Sequence, residues 1–175
     1  MKKRIKTILL LGVIAIMGLG IFAGCGSNIH CRAVLFDNTS EWARTDFLRE
    51  NLTRGTFQFH NGYEWEEVAD ANELPQCRTF IITDEVKFNE IFLQFPPGIN
   101  FESEILIVHI ISNSYLTRPY RLRNLEIING KVHISVQLQR PRGAVGGAAE
   151  LQQRVFAVRM DRHPVSEVNF TVRNH

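Results

Sequence analysis

Acid–base or metal chemistry in this chain would have to come from its six histidines, of which His109 and His133 stand out. His109 lies inside the apolar run Ile105–Ile111, and His133 lies in an alternating run after Asn129-Gly130. Neighbouring strands could bring the two together. A hydrolase built on either would need a deep pocket and a carboxylate within hydrogen-bond reach. No HxH or HExxH spacing occurs, and no carboxylate lies close beside either residue in sequence. Ser112, Ser114 and Ser135 have histidines nearby, but there is no GxSxG elbow. No catalytic residue, metal site or cofactor is expected.

Arginine is the more suggestive residue type. Arg118, Arg121 and Arg123 form one cluster; Arg140, Arg142 and Arg154 flank a second stretch, Gly143–Ala149. That glycine-rich stretch lacks the Lys-Ser/Thr of a phosphate-binding P-loop. It reads as a connector between strands, or as a loop on which a partner backbone approaches closely. If a sheet places both clusters at one end, they form a single Arg-rich rim. The planar guanidinium fork suits carboxylates and phosphates. Charge along the chain points the same way. Cys25–Glu104 carries six basic and fourteen acidic residues, a net of −8, while Ile105–His175 carries ten basic and four acidic, a net of +6. The halves either neutralise each other on packing or leave an Arg-lined patch for an acidic partner. Nothing in the balance suggests nucleic-acid binding.

Of the three cysteines, Cys31 and Cys77 form the possible pair once Cys25 is set aside (below). A bridge would stabilise by about 4 kcal/mol on chain-entropy grounds. Two thiols remain the alternative. The two lack the close spacing of a metal site.

The elements that must position these residues follow from hydrophobic periodicity. Arg32–Phe36 predicts a first strand, and Glu41–Asn51 a short helix capped by Thr39 or Ser40. Thr56–His60 and Tyr63–Val68 predict a hairpin about Asn61-Gly62, and Arg78–Thr83 a further strand. Phe88, Ile91, Phe92 and Phe95 recur at i, i+3, i+4 and i+7, so Asp84–Phe95 predicts the main amphipathic helix. Ile105–Ile111 is a central buried strand, Tyr115–Arg123 a polar connector, and Leu125–Ile128 with Val132–Leu138 a hairpin about Asn129-Gly130. Gln153–Met160 and Val168–Val172 are the last strands. The class expected is α+β: a mostly antiparallel sheet with one main helix packed on it.

The N-terminus carries a different signal. Lys2, Lys3, Arg4 and Lys6 precede an apolar run from Ile8 to Phe22, the layout of a secretory signal. Ala23-Gly24-Cys25 at its end resembles the bacterial lipobox, with Phe22 where Leu is usual. The resemblance implies that residues 1–24 are removed and that Cys25 carries a lipid. Residues 25–30 would be a short tether and 31–175 one domain, on the outer face of a bacterial cell membrane. An uncleaved anchor is the alternative, although the run falls short of the ~20 residues of a typical span. The mature chain would hold sixteen basic and eighteen acidic residues.

From Arg78 onward the order of FNEIFLQF, PPGINFESE, ILIVHII, the Asn-Gly hairpin, GGAAELQQR and RVFAVRMDR resembles small lipoproteins of low-GC Gram-positive bacteria. More distantly it is similar to the C-terminal domain of the PrcB-type protease-complex subunit, whose glycine-rich segment follows the central strand; here Ser112–Tyr120 has no glycine. The resemblance carries no catalytic residue. The function expected is that of a membrane-anchored, non-catalytic module that binds a protein or peptide in the envelope, with the Arg-rich loops read from the residues as contact. A binder of an anionic wall polymer is the alternative, and a hydrolase using His109 or His133 a third.

Overall fold

The computed structural model describes residues 31–61, 63–95, 98–113, 119–139 and 152–174. Their architecture is mainly β, with antiparallel pairing predominant and little helix. Strands β1 (Ala33–Phe36), β4 (Cys77–Ile82), β5 (Glu104–Asn113) and β8 (Gln152–Asp161) form a central sheet in the order β1-β8-β5-β4. Strands β6 (Tyr120–Ile128), β7 (Lys131–Leu138) and β9 (Glu167–Arg173) form a smaller sheet in the order β6-β7-β9. A two-stranded hairpin, β2 (Gln58–His60) and β3 (Trp65–Glu67), and helices α1 (Thr45–Glu50) and α2 (Glu85–Ile91) complete the domain.

The central sheet is buried on both faces, and its sequence alternation sorts side chains between two cores. Leu106, Val108, Ile110, Val155 and Ala157 point to the helices, where they meet Leu48, Phe59, Ile91, Phe92 and Phe95. Ile105, Ile107, Phe156, Val158 and Met160 point to the small sheet, where they meet Ile127, Val132, Ile134 and Val136. The continuous apolar run ILIVHII is thus one strand serving both cores. Across β7, Val132, Ile134, Val136 and Leu138 are buried, so this strand buries one face as its alternation predicts.

Asn129 (φ 53°) and Gly130 (φ 76°) turn β6 into β7 with both residues left-handed, as a type I′ turn requires. The pairing at the other edge is not antiparallel: β9 runs parallel to β7, from Lys131↔Glu167 to Gln137↔Arg173.

The main helix is shorter than its apolar stripe. Asp84 caps it, its Oδ1 accepting from the Lys87 N–H at 2.9 Å. Helical structure stops at Ile91, because the next residues pair with an extended segment: Phe92 bridges Ala43, Arg44 N–H donates to the Ile91 carbonyl and Leu93 N–H to the Trp42 carbonyl. Phe88, Ile91, Phe92 and Phe95 still pack together, Phe88 and Phe92 at 5.4 Å and Phe92 and Phe95 at 5.4 Å between centroids. The predicted earlier helix likewise contracts to α1. The predicted connector Tyr115–Arg123 is a strand from Tyr120 onward.

The Cys31–Cys77 bridge is corrected: both cysteines are free thiols. Cys77 lies at the Ile111 end of β5, level with Arg154 of β8. Cys31 lies at the opposite end, its Sγ against the Asp161 carbonyl at 3.9 Å. Strand rise and spacing put the two on the order of 25 Å apart, far beyond the ~7 Å limit for a bridge.

Candidate functional site

The described residues that bound the two arginine-bearing connectors lie close together. Tyr120, the first residue of β6, pairs with Leu138, the last of β7, and the Gln139 N–H donates to the Pro119 carbonyl at 2.9 Å. Asn113 and Gln152 pair at the matching ends of β5 and β8. Both connecting segments, 114–118 and 140–151, are therefore bounded by paired residues at one end of the sandwich. Arg118, Arg140 and Arg142 lie within those segments and outside the described residues, as does Cys25.

Arg121 and Arg123 are exposed on β6, at the edge of the small sheet. The register sets Arg121 opposite Gln137, and Gln137 opposite Arg173. Arg121 and Arg173 therefore flank β7 in one row, with backbones roughly 10 Å apart. Arg123 sits at a bulge between Leu122 and Asn124. Charge and bulge together also discourage a foreign strand from pairing with this edge. Among the described residues, Arg121, Arg123 and Arg173 form no ion pair. Arg49, Arg154 and Arg159 bond carboxylates, and Arg44, Arg54, Arg78 and Arg162 bond backbone carbonyls. Arg173 was missed from sequence because its place beside the other two depends on the parallel β7–β9 pairing.

Arg154 is a correction. It is 1% exposed and faces the small sheet, so it is no surface contact. Its Nε donates to the Asp37 carbonyl at 2.6 Å and its Nη2 to Asp37 Oδ2 at 3.2 Å. The same Asp37 Oδ2 accepts the Tyr120 N–H at 2.7 Å. The guanidinium lies 4.7 Å from the Tyr120 ring centre. Burial pulls its pKa down, and Asp37 works against that shift. Arg154 thus ties the end of β1 to the start of β6, immediately before Arg121. It supports the rim from beneath.

The histidines do not converge. His109 faces the inter-sheet core, 2% exposed, with its Nδ1 2.8 Å from Thr79 Oγ1. Its ring stacks on Phe170 at 4.1 Å and 9°. Burial pushes its pKa down to about 4. His133 lies on the outer face of β7, opposite Glu126 and Asn169, with the buried face of that strand between it and the core. Among the described residues no group of three metal-binding side chains occurs.

No family model, no curated protein and no solved structure matches this chain.

Proposed function

We propose that this chain is a lipid-anchored extracytoplasmic module that binds an acidic segment of an envelope protein at the Arg-rich end of its small sheet, without catalysis of its own. The observation that carries the reading is the row Arg121–Gln137–Arg173 with Arg123 beside it. These three arginines have no carboxylate partner among the described residues, at the end where both arginine-bearing connectors are bounded. Such side chains retain their donors for a partner's carboxylates. The lipobox-like Cys25 supports the anchor and outer-face location. His109 supports the non-catalytic reading by its place in the core: it is 2% exposed, bonded to the Thr79 hydroxyl and stacked on Phe170.

The test uses full-length protein in detergent micelles and a glutamate-rich peptide as probe. Removing Arg121, Arg123 and Arg173 together should weaken binding about tenfold, at a few tenths to one kcal/mol per exposed charge. Unchanged binding sinks the reading. So does retention on isolated cell wall that falls steeply with salt and that the peptide cannot displace; that outcome favours the anionic-polymer alternative. Intact mass from the native membrane tests the anchor: Cys25 onward plus a diacylglycerol is expected, and a full-length unlipidated mass rejects it.

A further inference from the structure

A cleft of about 390 Å³ opens on the opposite side of the central sheet from the small sheet, between α1, the β2–β3 hairpin and β8. Its apolar walls include Phe59, Trp65 and Leu93. Trp65 is 52% exposed and Leu93 67%, while Tyr63 at the hairpin tip is 96% exposed. The His60 ring meets Trp65 edge-on with centroids 5.0 Å apart, which steadies the indole at the rim.

Two polar side chains lining this cleft, Ser40 and Glu41, have acceptor capacity left over. Gln153 commits its amide nitrogen to the carbonyls of Asn51 at 2.8 Å and Leu48 at 3.4 Å, which fixes it in the cleft wall; its Oε1 is buried there, without a partner among the described residues. Ser40 donates its hydroxyl to Asn38 Oδ1 at 2.8 Å, which leaves its own lone pairs available. Glu41 is exposed and forms no ion pair among the described residues. The segment that supplies most of the lining is acidic: Glu41–Pro75 holds eight acids and three arginines. All three arginines are engaged, Arg44 with the Asn89 carbonyl, Arg49 with Glu66 and Arg54 with the Leu74 carbonyl.

Apolar walls, spare acceptors and a negative field together select a ligand that is long, apolar along its stem and a donor at its tip. A lysine side chain has that form: four methylenes ending in three donors with no acceptor. An aromatic face adds attraction for the cation. A neutral sugar could stack on Trp65 but would gain nothing from the acids. We propose that this cleft takes a lysine side chain from a basic peptide segment of a partner protein, a site separate from the Arg-rich end.

The test is titration of full-length protein in micelles with a short peptide of alternating lysine and glycine, followed by calorimetry and tryptophan emission. Saturable binding is expected, with Glu41→Gln weakening it about fivefold and Trp65→Ala tenfold or more. Arg121→Ala and Arg173→Ala should leave it unchanged, which separates this site from the other. Should Trp65→Ala fail to fold, Glu41→Gln at its exposed position decides alone. No saturable binding, wild-type affinity in Glu41→Gln, or binding of a neutral oligosaccharide in place of the peptide overturns the proposal.

Discussion

Acid should destabilise this fold through His109. The ring is buried between the two sheets against Phe170, and its pKa falls from 6.5 to about 4 because burial penalises the imidazolium. The unfolded chain therefore binds a proton on this residue at a pH where the folded chain does not. Stability then rises with pH between about 4 and 6.5; it is complete above the unfolded value and lost as pH falls through that window. A shift of this size corresponds to on the order of 3 kcal/mol, a large part of the margin of an ordinary domain. The assay is denaturant unfolding at pH steps from 7.5 to 4, on wild type and on His109→Gln. Glutamine can still hydrogen-bond Thr79 but does not titrate, so subtracting the two curves removes the carboxylates they share. The difference should fall with acid by up to about 1.4 kcal/mol per pH unit. The imidazole ring protons of His109 should titrate near pH 4 by NMR. A ring that titrates near 6.5, or a wild-type-minus-variant difference flat across the window, would refute a neutral, core-embedded His109.

Three further outcomes follow from the same structure. Asp37→Ala should cost about 1–3 kcal/mol in a thermal or denaturant melt, because it removes the acceptor shared by the buried Arg154 guanidinium and the Tyr120 N–H, and Arg154→Met should cost less. Gly130→Ala should cost about 1 kcal/mol or more by denaturant midpoint, since a Cβ there would sit at φ +76° and 3.4 Å from Ser166 Oγ. Reduction should leave the intact mass unchanged. A thiol reagent should label exposed Cys77 well before Cys31, whose pKa burial raises.

What could be read from the sequence was what local pattern controls. The Asn129-Gly130 hairpin and the two-sided strand Glu104–Asn113 each have a signal within one short window, and both formed. The aromatic stripe Phe88–Phe95 shows where such reading stops. It identified the right core residues, yet the last of them reach the core from extended chain, because the Ala43–Phe92 bridge outcompetes another helical turn. Periodicity reports which side chains face inward more reliably than it reports the backbone that carries them there. Arg154 misled for a related reason. An arginine beside a glycine-rich stretch looks like a surface residue until Asp37, over a hundred positions away, is known to meet it. Separation in sequence likewise concealed Arg173, 52 positions from Arg121, and the cleft, whose Trp65 and Gln153 lie 88 positions apart.

The charge asymmetry then takes on a physical sense. Two halves of opposite sign could have cancelled across their contact, and among the described residues two ion pairs join them, Arg154–Asp37 and Arg159–Glu104. The remaining charge is kept apart by the architecture. The acidic segment Glu41–Pro75 covers one face of the central sheet, and the strands bearing Arg121, Arg123 and Arg173 cover the other. Between them lies a sheet whose Ile105–Val108, Val155–Val158 and Met160 are all at most 1% exposed. Two packed core layers of about 10 Å each hold the charged faces farther apart than the Debye length of about 8 Å at physiological salt, so each face keeps a potential of its own sign at its surface. A domain arranged in this way can hold an acidic segment and a basic segment at once without either competing for the other's site. Simultaneous binding of the glutamate-rich and lysine-bearing peptides, each with the affinity it shows alone, is what that separation requires.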